Sequence, residues 1–240
     1  MAREVQVADS GAGVDVVFYG DSITETWRGT DMGRGCRRCA GVPAVFQKYF
    51  GKYSTAVLAV GGDQASHLLW RLQHGDTFVR HSPAAAVVMI GTNDLGAAAC
   101  LGGQPAITRA ANGTAMRVEA VLGHLRRANP RTQLLVLGIL PRGWTDAAHV
   151  YAWPSMYAPG VATLNAALAA WAARDTAAAF LDCGAALLPS GRIEPGLMPD
   201  ALHPNAEGME LFAKCIAPAL DERFAASTGD ARGGLWKLGG

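Results

Sequence analysis

The chain has 240 residues and a mass of 25.1 kDa, a length that favours one large domain or two small ones. Half of its residues are hydrophobic and 17% are charged, which excludes a disordered chain and is too mixed for a membrane protein. The 21 basic and 20 acidic residues give a formal net charge of +1, so no basic excess exists to bind nucleic acid. The N-terminal 12 residues lack an apolar stretch, and the longest apolar run, residues 84–90, is too short to span a bilayer. We therefore expect no stable membrane insertion and a cytoplasmic location.

Five short apolar segments predict strands that are buried on both faces, at residues 14–19, 55–60, 85–90, 133–139 and 178–182. Helical patterns with apolar stripes occupy residues 64–73, 114–128, 161–174 and 205–224. Pro218 predicts a kink or an early end in the last of these helices. The alternation of strands and helices predicts right-handed crossovers and one three-layer α/β domain with a five-stranded parallel sheet. We place this domain at residues 14–225, after an N-terminal segment (1–13) and before a flexible tail (226–240).

The five cysteines are an odd number, and a disulfide framework is not expected in a chain of this length. Cys36 and Cys39 form a C-x-x-C pair, but no second pair follows at the spacing of a zinc site. We therefore expect a local disulfide or two ordinary loop thiols at this pair, and no metal.

Open α/β sheets place their functional residues at the carboxyl ends of the strands. Ser22 follows the first predicted strand in a Gly-Asp-Ser sequence, and Gly62 follows the second. Asn93 follows the third strand in a Gly-Thr-Asn-Asp sequence, while Asp200 and His203 precede the last helix. The order of the elements predicts that these residues meet at one edge of one sheet.

These residue types suit acyl transfer. A serine hydroxyl needs a neighbouring base, and His203 can take the Ser22 proton while Asp200 orients the imidazole ring. The backbone N–H groups of Ser22 and Gly62 and the Asn93 amide offer three donors for an oxyanion. The chain has no G-x-S-x-G elbow, Walker A loop or complete G-x-G-x-x-G motif. We therefore expect no cofactor. Each motif alone has an ordinary structural interpretation, but the four in this order are hard to obtain by chance.

The four blocks together resemble the SGNH hydrolases, the GDSL lipase/esterase superfamily, over residues 14–220. The resemblance implies that Ser22 is the nucleophile of a triad with His203 and Asp200. It also implies that Gly62 and Asn93 complete the oxyanion hole.

Residues 60–72 (VGGDQASHLLWRL) and 138–143 (GILPRG) are similar to the catalytic subunits of intracellular platelet-activating-factor acetylhydrolase. This closer likeness implies a flavodoxin-like sheet of order 2-1-3-4-5 and hydrolysis of a small-molecule short-chain ester, with acetyl the favoured acyl group. A homodimer is one assembly that it allows. Two departures are Asp94, where that subfamily tends to have a second Asn, and the Gly- and Arg-rich insertion at residues 28–41.

The substrate pocket has two candidate components. Arg34, Arg37 and Arg38 form a basic cluster in the insertion, which is either a solvated loop or a binding surface for an anionic ester. Trp144 follows the fourth predicted strand and either lines the substrate pocket or packs against the sheet.

Several functions fit this site. The first is a serine esterase for short acyl esters. Alternatives on the same site are a carbohydrate acetylesterase, a thioesterase, a lysophospholipase or an acyltransferase. A non-catalytic interaction subunit is an alternative of a different class, because acetylhydrolase subunits pair with each other and with a β-propeller partner.

Overall fold

The structure, a computed structural model, describes residues 1–143 and 150–233. The strands in these ranges are Val16–Gly20 (β1), Thr30–Asp31 (β2), Arg34–Gly35 (β3), Thr55–Ala59 (β4), Ala85–Met89 (β5), Gln133–Leu137 (β6) and Ala178–Leu181 (β7). The α-helices in the same ranges are Ala2–Ser10 (α1), Ser22–Glu25 (α2), Val42–Phe50 (α3), Ala65–Arg71 (α4), Thr92–Ala128 (α5), Ala158–Ala172 (α6) and Ala206–Gly233 (α7).

Five of the strands form one parallel sheet in the order β4-β1-β5-β6-β7, which confirms the predicted order 2-1-3-4-5. Strand β1 pairs with both β4 and β5, and its last residue, Gly20, lies opposite Ala59 on one side and Met89 on the other. Helices α3 and α7 pack together, α5 packs against α4 and α6, and helices cover both sides of the sheet. Strands β2 and β3 form a separate antiparallel hairpin.

The predicted strands are all present, with ends displaced by at most two residues. Every residue of β1 and β5 is buried, as their continuous apolar sequences require in a sheet covered on both faces. An aromatic cluster packs beneath this sheet against β1, α3 and α7, formed by Phe18, Trp27, Phe46, Phe50 and Phe212.

Helices α5 and α7 are longer than the sequence predicts. Helix α5 begins at Thr92 rather than at residue 114, and it contains a kink where Gly102 and Gly103 leave helical dihedral angles. Helix α7 continues beyond Pro218 to Gly233, so the early end expected at this proline does not occur. The first part of the predicted tail is therefore helical, and residues 234–240 lie outside the described residues.

The N-terminal segment also contains structure, since helix α1 packs onto the domain. Val5 of this helix is buried in the hydrophobic core. The Asp9 carboxylate accepts hydrogen bonds from the backbone N–H groups of Val79, Arg80 and His81. These bonds fix the helix to the loop that precedes β5.

Two disulfides correct the prediction that a disulfide framework is absent. Cys36 and Cys39 form the local bridge that was one of two alternatives, while Cys183 and Cys215 form a bridge that the sequence did not indicate. The second bridge ties the chain just after β7 to the middle of α7.

Among the residues that the structure describes, none of the helices combines the length and the apolar character needed to cross a membrane.

The longer-range disulfide is expected to stabilise the fold. We expect Cys215→Ser to lower the free energy of unfolding by about 2–4 kcal/mol, because the bridge restricts the unfolded chain between residues 183 and 215. Cys39→Ser is the matched control and should cost less, since its bridge spans only three positions. Urea unfolding of both variants measures the difference. Alkylation of the unreduced wild type should modify one thiol, Cys100; five modified thiols would contradict both bridges.

Candidate active site

Ser22 lies in a tight turn between β1 and α2 that leaves no room for side chains on its inner face. A Cβ atom at Gly20 would lie 2.2 Å from the Thr24 Oγ1 and 2.6 Å from the Met89 carbonyl oxygen, so only glycine fits there. Asp21 caps α2 by accepting a hydrogen bond from the Ile23 N–H at 3.0 Å. Ser22 is therefore the first residue of a helix that begins at the carboxyl end of β1.

The structure brings Ser22, His203 and Asp200 together across 181 residues of sequence. The Ser22 Oγ lies 2.8 Å from His203 Nε2, and His203 Nδ1 lies 2.6 Å from Asp200 Oδ2. The other carboxylate oxygen of Asp200 accepts the backbone N–H groups of Leu202 and His203. Burial raises the pKa of Asp200, but the hydrogen bonds from His203 and Leu202 outweigh it and lower the pKa to about 2. Asp200 is therefore ionised throughout the neutral range.

The two other predicted donors follow β4 and β5, the two strands that flank β1. Gly62 follows β4 with a φ of +83°, and nothing stands within 4 Å of the place where a Cβ would project. Asn93 lies in the first turn of α5, after β5, and its Nδ2 donates to the Asp63 carbonyl oxygen at 2.9 Å. An amide nitrogen has two hydrogens, so the second remains available to another acceptor. The bond joins Asn93 to the turn that contains Gly62.

A network of charged side chains holds the turn that contains Gly62 and Asp63. Arg71 donates to the Asp63 carboxylate at 2.8 Å and also pairs with Asp76. The Asp94 side chain is fully buried, and it accepts the Ala65 N–H at 2.9 Å and the Arg117 guanidinium at 3.0 Å. Asp94, the departure from the acetylhydrolase pattern, thus ties the start of α5 to the start of α4.

Arg142 also supports this part of the site. It lies within residues 138–143, and the sequence predicts no role for it. Its buried guanidinium donates to the carbonyl oxygen of Thr92 at 2.7 Å and lies 4.2 Å from the ring centroid of Tyr157. Because Thr92 precedes Asn93, this contact fixes the position from which the Asn93 amide projects.

A cavity of about 560 Å³ opens beside His203, and it contains part of the predicted basic cluster. Arg37 and Arg38 line it, whereas Arg34 lies on β3 and is not one of its lining residues. Arg38 pairs with Asp31 at 3.0 Å. Trp144 lies outside the described residues.

Comparison with known proteins identifies the family. The model of the GDSL-like Lipase/Acylhydrolase family matches residues 18–211, a range that contains all five residues predicted for the triad and the oxyanion hole. The chain therefore belongs to this family.

Curated relatives add a more distant similarity. The chain is 27% identical over 129 residues to the platelet-activating factor acetylhydrolase IB subunit alpha2 of Gallus gallus, which covers 54% of this chain and 45% of that protein. It is 28% identical over 130 residues to the alpha1 subunit of Homo sapiens, with 54% and 45% covered. The matched region thus spans about half the length of these relatives.

Solved structures share the fold over most of the chain. A GDSL-like lipase from Bacteroides thetaiotaomicron superposes with a TM-score of 0.62 at 19% identity, covering 92% of this chain and 97% of that one. A catalytic mutant of an acetylxylan esterase from Geobacillus stearothermophilus gives 0.59 at 17% identity, covering 85% and 92%.

The Asp21 carboxyl should make stability fall between pH 4 and pH 7. Burial raises its pKa to about 7, against the opposing hydrogen bond from the Ile23 N–H. The native state therefore holds this proton more tightly than the unfolded chain, whose Asp pKa is about 3.9. Stability is fully present below about pH 4 and is lost as the pH rises through about 7, by about 4 kcal/mol at most.

The test compares Asp21→Asn with the wild type, since the amide can still accept the Ile23 N–H without titrating. The free energy of unfolding, measured in urea from pH 4 to pH 8, should decline more steeply for the wild type. Parallel curves would show that Asp21 does not titrate in this window.

Proposed function

We propose that this chain is a serine esterase that hydrolyses short acyl esters, with acetyl the favoured acyl group. The observation that carries the proposal is the continuous chain of short contacts from the Ser22 hydroxyl through His203 to Asp200. The family match supports ester chemistry, and the names of the acetylhydrolase and acetylxylan esterase relatives support a small acyl group. We place the activity in a single domain over residues 14–225.

The proposed reaction has two halves. In the first, the Ser22 Oγ bonds to the ester carbonyl carbon as its proton passes to His203 Nε2, which then protonates the alcohol as the ester C–O bond breaks. In the second, water attacks the acyl-enzyme and gives its proton to His203, and the acid leaves as Ser22 regains a proton. Asp200 remains ionised in both halves and stabilises the imidazolium.

The negative charge that develops on the carbonyl oxygen requires donors that are already in place. We assign this role to the N–H groups of Ser22 and Gly62 and to the Asn93 amide. The positive φ of Gly62 and the open space in front of it support this assignment, because a side chain there would meet the substrate. The bond from Asn93 to the Asp63 carbonyl supports a fixed direction for the amide.

Loss of the Ser22 hydroxyl tests the nucleophile. We expect Ser22→Ala to lower kcat for p-nitrophenyl acetate by about 10⁴-fold or more and to abolish labelling by a fluorophosphonate probe. Ser10→Ala, which changes an exposed hydroxyl bonded only within α1, is the matched control and should retain full activity. Turnover or labelling of Ser22→Ala at the wild-type rate would exclude Ser22 as the nucleophile.

A carbohydrate acetylesterase is the second candidate, because one fold neighbour is named as an acetylxylan esterase. A series of acyl chain lengths on simple alcohols, thiols and acetylated sugars separates this candidate from thioesterase and lysophospholipase activity. Added alcohol acceptors detect acyl transfer. A protein that accepts no ester and does not react with the fluorophosphonate would favour the non-catalytic interaction subunit, and homodimerisation stays a prediction.

The arginines of the cavity test a preference for anionic esters. Arg37 is exposed on the cavity wall beside His203, whereas the charge of Arg38 is partly balanced by Asp31. We expect Arg37→Ser with Arg38→Ser to raise KM for an ester with an acidic alcohol group by about two- to fivefold, and to leave KM for its neutral analogue unchanged. Arg34→Ser is the matched control because Arg34 does not line the cavity. Equal changes for both esters would exclude charge recognition.

A further inference from the structure

Glu25 is a fully buried carboxylate beside the proposed nucleophile. It is the last residue of α2, three positions after Ser22, and its side chain has no exposed surface. A buried carboxylate is unfavourable unless hydrogen bonds replace its hydration. Its partners therefore reveal which parts of the molecule it organises.

Both oxygens of Glu25 accept hydrogen bonds from two separate parts of the chain. Oε1 accepts the Thr30 hydroxyl at 2.8 Å and the Gly33 N–H at 2.7 Å. Oε2 accepts the Met32 N–H at 2.9 Å and the Gly61 N–H at 2.6 Å. Three of these partners belong to the β2–β3 hairpin, and the fourth belongs to the turn after β4.

The hairpin and the turn are in direct contact at Gly61. A Cβ atom on this residue would lie 2.5 Å from Asp31 Oδ1 and 3.1 Å from Met32 Cγ, so the hairpin occupies that side of the turn. Gly62, the next residue, carries one of the proposed oxyanion donors. The Glu25 carboxylate thus lies where α2, the hairpin and the Gly61–Gly62 turn meet.

The carboxylate is held in its ionised form. Burial by itself would raise the pKa of Glu25, but the hydrogen bonds from Gly33, Thr30, Gly61 and Met32 outweigh it and hold the pKa below its usual value. Bonds to an ionised acceptor are shorter and stronger than neutral ones. If the charge were removed, buried N–H groups would lose their acceptor, which is costlier than losing an exposed contact.

We propose that Glu25 is a positioning residue that fixes the Gly61–Gly62 turn so that the Gly62 N–H points at the oxyanion. This inference rests on the proposed esterase function. Glu25 does not touch the substrate. It acts by joining the helix that presents Ser22 to the turn that presents Gly62, so that nucleophile and donor keep one relative position. It also ties the β2–β3 hairpin, which belongs to the insertion at residues 28–41, to α2.

Glu25→Gln tests the proposal, because the amide is isosteric but its nitrogen cannot accept a hydrogen bond. Donors to an oxyanion act mainly in the transition state, so we expect kcat for p-nitrophenyl acetate to fall about 10- to 100-fold with KM within about threefold. Affinity for phenylboronic acid, which forms a tetrahedral adduct with a serine, should weaken in parallel. Amide hydrogen exchange at residues 58–63 should accelerate, since one neutral oxygen cannot serve all four donors and the charge that strengthens the Gly61 bond is lost.

Two further variants control for a general structural effect. Thr30→Val removes one bond on the hairpin side and leaves the Gly61 bond intact, so its kcat should stay within about twofold of the wild type. Glu25→Asp keeps the charge on a shorter side chain and should lose less activity than Glu25→Gln; it also carries the test if the Gln variant does not fold.

The outcomes separate this inference from the proposed function. A wild type that fails both turnover and fluorophosphonate labelling would overturn the esterase proposal, and the exchange rates would then decide whether Glu25 holds the turn. An active wild type with unchanged kcat and unchanged exchange in the Glu25 variants would overturn only the positioning role. An equal loss of kcat in Thr30→Val would also overturn it, since the hairpin rather than the turn would then control the rate.

Discussion

The parallel hydrogen-bonded pairing of β1 with β4 and β5 is the constraint on which the site depends. In a parallel sheet all strands end at the same edge, so the three turns that follow these strands must lie side by side. Ser22 follows β1, Gly62 follows β4 and Asn93 follows β5. The apolar strands therefore do more than fill the core, because their register determines which backbone groups lie together at this edge of the sheet.

Buried carboxylates fix these turns relative to one another. Asp21, Glu25, Asp63 and Asp94 are all buried, and each accepts hydrogen bonds from backbone N–H groups or from arginine. Desolvation makes such groups expensive, and Glu25 and Asp94 offset it with several bonds. Asp21 is the exception, because one of its buried oxygens accepts no bond within the described residues and its pKa is raised. The acid that orients His203 is different, because Asp200 is half exposed and lies on a separate loop. The structural carboxylates are therefore buried, whereas the proposed catalytic carboxylate is half exposed.

The His203 loop comes from the far end of the sequence and needs its own anchors. It precedes α7, which packs along α3. Lys48 and Tyr49 of α3 bond to Glu210 of α7, and Lys52 and Tyr53, which follow α3, bond to Asp221 in the same way. The Cys183–Cys215 bridge holds the same helix to the end of β7. These contacts hold α7 in place and with it the end of the loop that carries His203.

The sequence predicted the fold class from its own patterns, and its resemblance to a known family predicted the strand order and the five residues of the proposed site. Apolar runs, turn residues and short motifs are local signals that survive without knowledge of the fold. The contacts of Glu25, the second disulfide and the arginines that border the cavity became visible only in the folded chain. Those features depend on contacts between segments far apart in the chain, such as Glu25 with Gly61 or Cys183 with Cys215. No local pattern encodes such contacts, because they arise from how the strands, hairpin and helices pack together.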